Sequence, residues 1–118
     1  MDILKQKFQE KASALFKANK AMITEHGDIT FDTLAVRQVF GGMRGMKSMI
    51  WETSELDAYE GIRFRGYSIR QLRKALPKAE GGKEPLPEGL FWLMLVGDIP
   101  TDREVRWLSD EWRKRSKV

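Results

Sequence analysis

The sequence predicts a mainly α-helical chain with a few short strands or extended loops, incomplete as a fold on its own. An amphipathic pattern at residues 3–23, a series of helix start and stop residues from residue 68 onward, and the unbroken apolar segment Leu90 to Val96 lead to this expectation. A helix that is apolar on every side has to be buried on every side. A chain of 118 residues builds one modest core and can hardly wrap such a helix.

In residues 3–23, Leu4, Phe8, Ala12, Leu15, Asn19 and Met22 recur at helical spacing with Lys and Gln between them, so residues 1–28 read as an amphipathic helix and its end. His26-Gly27-Asp28 terminates it, Gly27 suiting a left-handed cap. Residues 29–67 read as short strands and loops rich in Gly and Arg. The β-type pieces are Ile29-Thr30-Phe31, Ala35 to Phe40 and Ser48 to Thr53.

Residues 68–118 read as helices. Ser68 caps a short helix that carries Ile69, Leu72 and Leu76 on one side and Arg70, Arg73 and Lys74 on the other, and Pro77 stops it. The stretch from Lys78 to Pro87 is a loop of Gly, Pro and charged residues. Pro87 suits the first position of the apolar helix and Gly97 the position after its last turn. Thr101 and Glu104 have the spacing of a capping box, which starts a last helix with the stripe Val105, Leu108 and Trp112. Its final turn is basic, at the negative end of the helix dipole.

Composition narrows the chemistry. With 42% hydrophobic and 32% charged residues the chain is of the globular class, and no apolar run approaches the ~18–20 residues that span a bilayer. Zero cysteines remove disulfides, thiolate nucleophiles and cysteine metal sites together. The start of the sequence has no signal-peptide apolar stretch. Asp2 and Glu10 argue against an intact organellar transit peptide, so an import signal is expected to be absent or already removed. The net charge of +4 favours anionic partners only weakly. Because 17 acidic residues are interspersed with 21 basic ones, no nucleic-acid partner is expected.

Few residues are candidates for a site. The only histidine, His26, lies in the helix-ending turn without a nucleophile or carboxylate cluster that spacing makes its partner. One His with scattered acids also lacks a metal-ligand pattern, so no metal is expected. Gly41-Gly42-Met43-Arg44-Gly45-Met46-Lys47 combines glycines that let a backbone approach a phosphate with the charges of Arg44 and Lys47. It lacks the Walker spacing, and on local grounds a structural turn is favoured over a phosphate site. Arg63 and Arg65 stand at strand spacing and could share a face; such arginines are more often ion-pair partners than ligand contacts. The Trp and Met residues fall mostly on apolar helix faces, which points to core packing.

Several blocks carry a resemblance. They are Gly41 to Lys47, Glu52-Thr53-Ser54, Glu60-Gly61-Ile62-Arg63-Phe64-Arg65-Gly66-Tyr67-Ser68-Ile69, Leu76-Pro77-Lys78-Ala79, Glu84 to Leu93, Gly97-Asp98-Ile99-Pro100-Thr101, and Trp107-Leu108-Ser109-Asp110-Glu111-Trp112. In this order they closely resemble successive stretches of mitochondrial-type citrate synthases. The helix at 3–23 matches by pattern more than by identity, and residues 1–118 as a whole resemble the leading, N-terminal segment of that family's large domain. Small departures are Ser48 for a common Gly, Asp57-Ala58-Tyr59 for a more usual Asp-Pro-Asp, and a more basic Arg70 to Arg73.

The resemblance implies a helical fold, a homodimer, the mitochondrial matrix, and the condensation of acetyl-CoA with oxaloacetate. It also implies that the two catalytic histidines and the catalytic aspartate lie downstream of the matched segment, so no catalytic residue is expected here and His26 matches a non-catalytic turn. Arg44 matches a family arginine close to the coenzyme A phosphates and is the one expected ligand contact. The expected partner is the remainder of a citrate synthase chain or a larger assembly. The alternatives are a non-catalytic structural subunit and a segment of a 2-methylcitrate synthase, which shares these blocks.

Overall fold

A computed structural model describes residues 2–30, 32–41 and 54–116. The elements are α1 (Ile3–His26), α2 (Val36–Phe40), β1 (Ser54–Asp57), β2 (Gly61–Phe64), β3 (Tyr67–Ser68), α3 (Ile69–Ala75), α4 (Pro87–Val96) and α5 (Asp102–Arg115). Helices dominate, as expected. The chain divides into two compact units, Met1–Lys11 with Trp51–Val118, and Ala12–Ile50.

The first unit is built on local signals that act as the sequence indicates. Ser68 caps α3, its hydroxyl accepting from the Gln71 N–H while its own N–H donates to Gln71 Oε1 at 2.8 Å. Pro87 occupies the first position of α4, where a missing N–H costs nothing, and Gly97 closes the helix at φ 89°, its N–H donating to the Leu93 carbonyl. Thr101 N–H donates to Glu104 Oε2 at 2.8 Å and Glu104 N–H to the Thr101 hydroxyl at 3.3 Å, which starts α5.

A small antiparallel sheet of order β1-β2-β3 precedes α3. Between β1 and β2, Asp57 Oδ1 accepts the N–H groups of Tyr59 and Glu60 at 2.7 and 2.8 Å. Those two donors, Glu60 first, hold the Asp57 carboxyl below its ordinary value. Between β2 and β3, Phe64 faces Tyr67 across the two-residue turn Arg65-Gly66, both at positive φ (51° and 85°), as the twist of a hairpin demands. Arg65 is the only residue other than glycine at positive φ among the described residues. Its guanidinium donates through Nε and Nη2 to the Met94 carbonyl at 3.0 and 2.7 Å, tying the hairpin to the last turn of α4.

Helix α4 packs in two directions. Leu93, fully buried, meets Leu72 of α3 and Leu76 just after it, with Phe64, Tyr67, Leu90 and Ile99 around them. The adjacent Trp92 and, one turn on, Val96 meet Leu108 of α5, with Leu4 and Trp107 alongside. Complete burial of side chains this size contributes about 1.5–3 kcal/mol each. The outer side differs from the expectation of burial all round. Phe91, Met94 and Leu95 remain 39%, 45% and 37% exposed, because the elements of this unit cover α4 on its inner sides only.

The first turns of α1 join this unit through Leu4 and through Lys7, whose Nζ lies 2.5 Å from Glu104 Oε1 and 5.8 Å from the Trp92 ring centroid. Glu104 is buried, a position a carboxylate tolerates only when paired. Burial alone would raise its pKa, but the Lys7 ammonium and the two donors of Thr101 outweigh it and hold the carboxyl below the usual value. The hydrogen bond to Glu104 likewise raises Lys7.

The second unit contains the rest of α1, and α2. None of its described side chains is buried, and Phe16, Ile23, Val36 and Phe40 are 70–89% exposed. Two sequence expectations change here, at Ala35 to Phe40 and at Gly27. Ala35 to Phe40 is not a strand: residues 36–40 form one helical turn, started by the Ala35 N–H donating to Gln38 Oε1 at 2.8 Å, a local bond that overrides the β preference of Val36, Val39 and Phe40. Ile29 and Thr30 join no sheet, which fits the extended loop that was the alternative to a strand, and Ser48 to Thr53 lies outside the described residues. Gly27 ends α1 without a positive φ; an added Cβ would stand 2.4 Å from the Ile23 carbonyl oxygen, so close approach is what requires glycine there.

Two outcomes test this description of the first unit. Arg65→Ala removes the guanidinium and keeps the unfavourable φ, whereas Arg65→Gly removes both, so the Gly variant should exceed the Ala variant in stability by about 1 kcal/mol. Urea unfolding followed by circular dichroism measures the difference, and equal stabilities would refute the assigned backbone strain. Glu104→Gln should lower stability at pH 7 by about 1–2 kcal/mol, the worth of a charge-assisted hydrogen bond discounted for the half-exposed Lys7. Because the folded carboxyl titrates below its unfolded value, near 4.3 in a free chain, its contribution is complete above that pH and disappears as pH falls through the lower folded value. Parent and variant should therefore converge in strong acid; a pH-independent difference would contradict the ion pair.

Candidate functional site

The residues weighed from sequence do not converge. His26, at the end of α1, is half exposed, with Nε2 3.9 Å from Glu25 Oε2. Arg63 and Arg65 do not share a ligand-facing surface, because Arg63 lies in β2 whereas Arg65 is the first residue of the turn, at positive φ. Arg63 donates from Nε and Nη2 to Glu60 Oε2 at 3.0 and 2.5 Å and from Nη1 to the Gly66 carbonyl at 3.2 Å, and the Glu60 carboxylate raises its pKa. Arg65 holds Met94. Both arginines serve the fold, the use that base frequency favours. Gly41 follows α2 and donates to the Arg37 carbonyl at 2.9 Å, while Arg44 and Lys47 lie outside the described residues.

The clefts offer little chemistry. One of about 430 Å³ is lined by Ile69, Arg70, Arg73 and Lys74 on the polar side of α3. Arg73 is engaged there by Glu84 in a two-point ion pair, which raises the guanidinium and holds the Glu84 carboxyl down. A second of about 520 Å³ alternates sign, with Lys78 and Arg106 beside Glu80 and Asp102. A third of about 170 Å³ is apolar, lined by Phe64, Ile69, Leu72, Leu76 and Leu90. No group of His, Asp and Glu side chains among the described residues is arranged to hold a metal ion, and no described helix is long and apolar enough to cross a membrane.

Among the described residues, the titratable group with the most enclosed setting, Glu104, belongs to the fold and not to a cleft. Its capping role was readable from the Thr101 spacing. Its ion pair with Lys7, from the other end of the chain, had no local signal. What the described residues assemble is therefore a scaffold with basic and apolar surfaces, without an acid–base pair or an activated nucleophile.

Likeness to known proteins supplies what geometry does not. The sequence model described as "Citrate synthase, C-terminal domain" matches residues 42–118. The protein named "Citrate synthase, mitochondrial" of Neurospora crassa is 52% identical over 115 residues, 98% of this chain and 24% of that protein. Its namesake from Kajikia audax is 56% identical over 94 residues (80% of this chain, 20% of that one), and that of Aspergillus niger 51% over 115 residues (98% and 24%). The chain thus spans about a quarter of the length of the relatives it matches, and it belongs to the citrate synthase family.

Proposed function

We propose that this chain is the leading segment of a mitochondrial citrate synthase and acts only together with the remaining part of such an enzyme, which condenses acetyl-CoA with oxaloacetate. The observation that carries this is 52% identity across 98% of the chain to a protein of which the chain is 24%. The names of all three relatives favour acetyl-CoA over propionyl-CoA and the mitochondrion as compartment. In the complete enzyme, a homodimer by family resemblance, the acid/base histidine, the catalytic aspartate and the carbonyl-polarising histidine come from the downstream part. This chain contributes scaffold and one ligand contact, Arg44 toward the coenzyme A phosphates.

The role of Arg44 is one of binding. A guanidinium supplies two parallel donors to phosphate oxygens, and glycines in the sequence around it are the residue type that lets a backbone approach a phosphate closely. Such a contact is made equally in ground and transition states, so it acts on affinity and not on turnover.

The 118-residue chain alone should release no coenzyme A from acetyl-CoA and oxaloacetate. A chimera in which it replaces the 115 matched residues of the Neurospora crassa enzyme should be active. A folded but inactive chimera would overturn the proposal in favour of a non-catalytic structural subunit. Within an active chimera, Arg44→Ala should raise KM for acetyl-CoA about tenfold, the worth of one charge-assisted hydrogen bond, with kcat little changed. An unchanged KM would remove Arg44 from the site.

A further inference from the structure

We infer that the outer face of α4, formed by Phe91, Met94 and Leu95 and continued onto α5 by Trp112, is the seat on which the rest of a citrate synthase polypeptide packs. The inference rests on the proposed function and names the surface through which this segment joins the enzyme.

Phe91, Met94 and Leu95 stand at i, i+3 and i+4, so they form one stripe. Phe91 meets Trp112 edge to face, ring centroids 5.2 Å apart, which extends the stripe to a second helix. A helix whose outer side faces water carries charge there. The same unit does this in α5, where Arg103, Arg106, Asp110 and Arg113 are exposed, whereas α4 has no charged or polar side chain from Leu90 to Val96. Of these two packed helices, α4 alone turns an uncharged, apolar side outward.

Two occupants compete for this face. The four side chains are 37–45% exposed. Aromatic side chains bury up to ~150–250 Å² each and Met and Leu less, so the face offers at most roughly 300 Å², well under the ~800 Å² per partner of a stable interface. A second copy of the chain gains too little here to offset the loss of translational and rotational freedom on association. A continuous polypeptide pays no such cost for one patch among several, and about three quarters of the Neurospora crassa relative's length lies outside the match. The occupant is that remainder.

Thiol labelling tests this directly, because the chain has no cysteine of its own. Met94→Cys and, separately, Leu95→Cys are placed in the 118-residue chain and in the chimera with the Neurospora crassa enzyme. Each is treated with a maleimide and mapped by mass spectrometry, with Tyr59→Cys, at a 98% exposed position, as reference. Position 94 or 95, being partly covered, should react more slowly than position 59 but readily in the chain alone, and at least tenfold more slowly again in the chimera. Equal rates in both would overturn the inference. So would concentration-dependent protection in the isolated chain, which assigns the face to a second copy, or concentration-independent protection, which assigns it to the chain's own residues. An inactive chimera that still protects these positions would count against the proposed function and leave the docking face standing.

Discussion

The fold depends on one constraint: α4 has no polar side, so its neighbours are arranged around it. Leu93 and Trp92, adjacent in sequence and therefore about 100° apart around the helix, anchor two different clusters. α3 and the hairpin gather on one, α5 and the start of α1 on the other. Even polar contacts serve this helix. Arg65 satisfies a carbonyl of its last turn, and Lys7, paired with Glu104, lies over Trp92. The incompleteness also follows, since two inner flanks use all the cover that this unit possesses.

Chemical silence is the counterpart of that arrangement. The polar groups with defined partners spend them on helix starts, turns and junctions: Ser68 with Gln71, Thr101 with Glu104, Asp57 with its turn, Arg63 with Glu60. None is held in a cleft with its reactive atom free. A family segment of this kind is recognised by identity with relatives and not by a constellation of side chains. Arg44, proposed to touch a ligand, owes its nomination to the motif around it.

Legibility in the sequence followed the range of each interaction. Elements fixed by bonds within three or four residues were readable: the Ser68 cap, Pro87 and Gly97 at the ends of α4, and the Thr101–Glu104 box. Polar Ser54 to Asp57 has little strand preference; it becomes one because the Asp57 turn returns the chain against Gly61 to Phe64. At Ala35 to Phe40 the opposite occurred, one side-chain amide turning a β-like sequence into helix. The union of Lys7 with Glu104 spans most of the chain and leaves no periodic trace. For the site, a single, isolated histidine led to the expectation of no acid–base set, while the surface that α4 presents emerged only from its exposure in the fold.

The latch between Arg65 and the Met94 carbonyl has a consequence for the order of assembly. Phe64, Tyr67, Leu72, Leu76, Leu90, Leu93 and Ile99 close one cluster within a short stretch of sequence, and the latch fixes the hairpin against it with a similarly modest loop. Contacts of low sequence separation form early, since little loop entropy opposes them. During synthesis this nucleus can consolidate as soon as the end of α4 and Ile99 have left the ribosome. The first turns of α1, translated before this nucleus, dock after it, when α5 brings Glu104 to Lys7. Order along the sequence and order of assembly thus run in opposite senses for this pair.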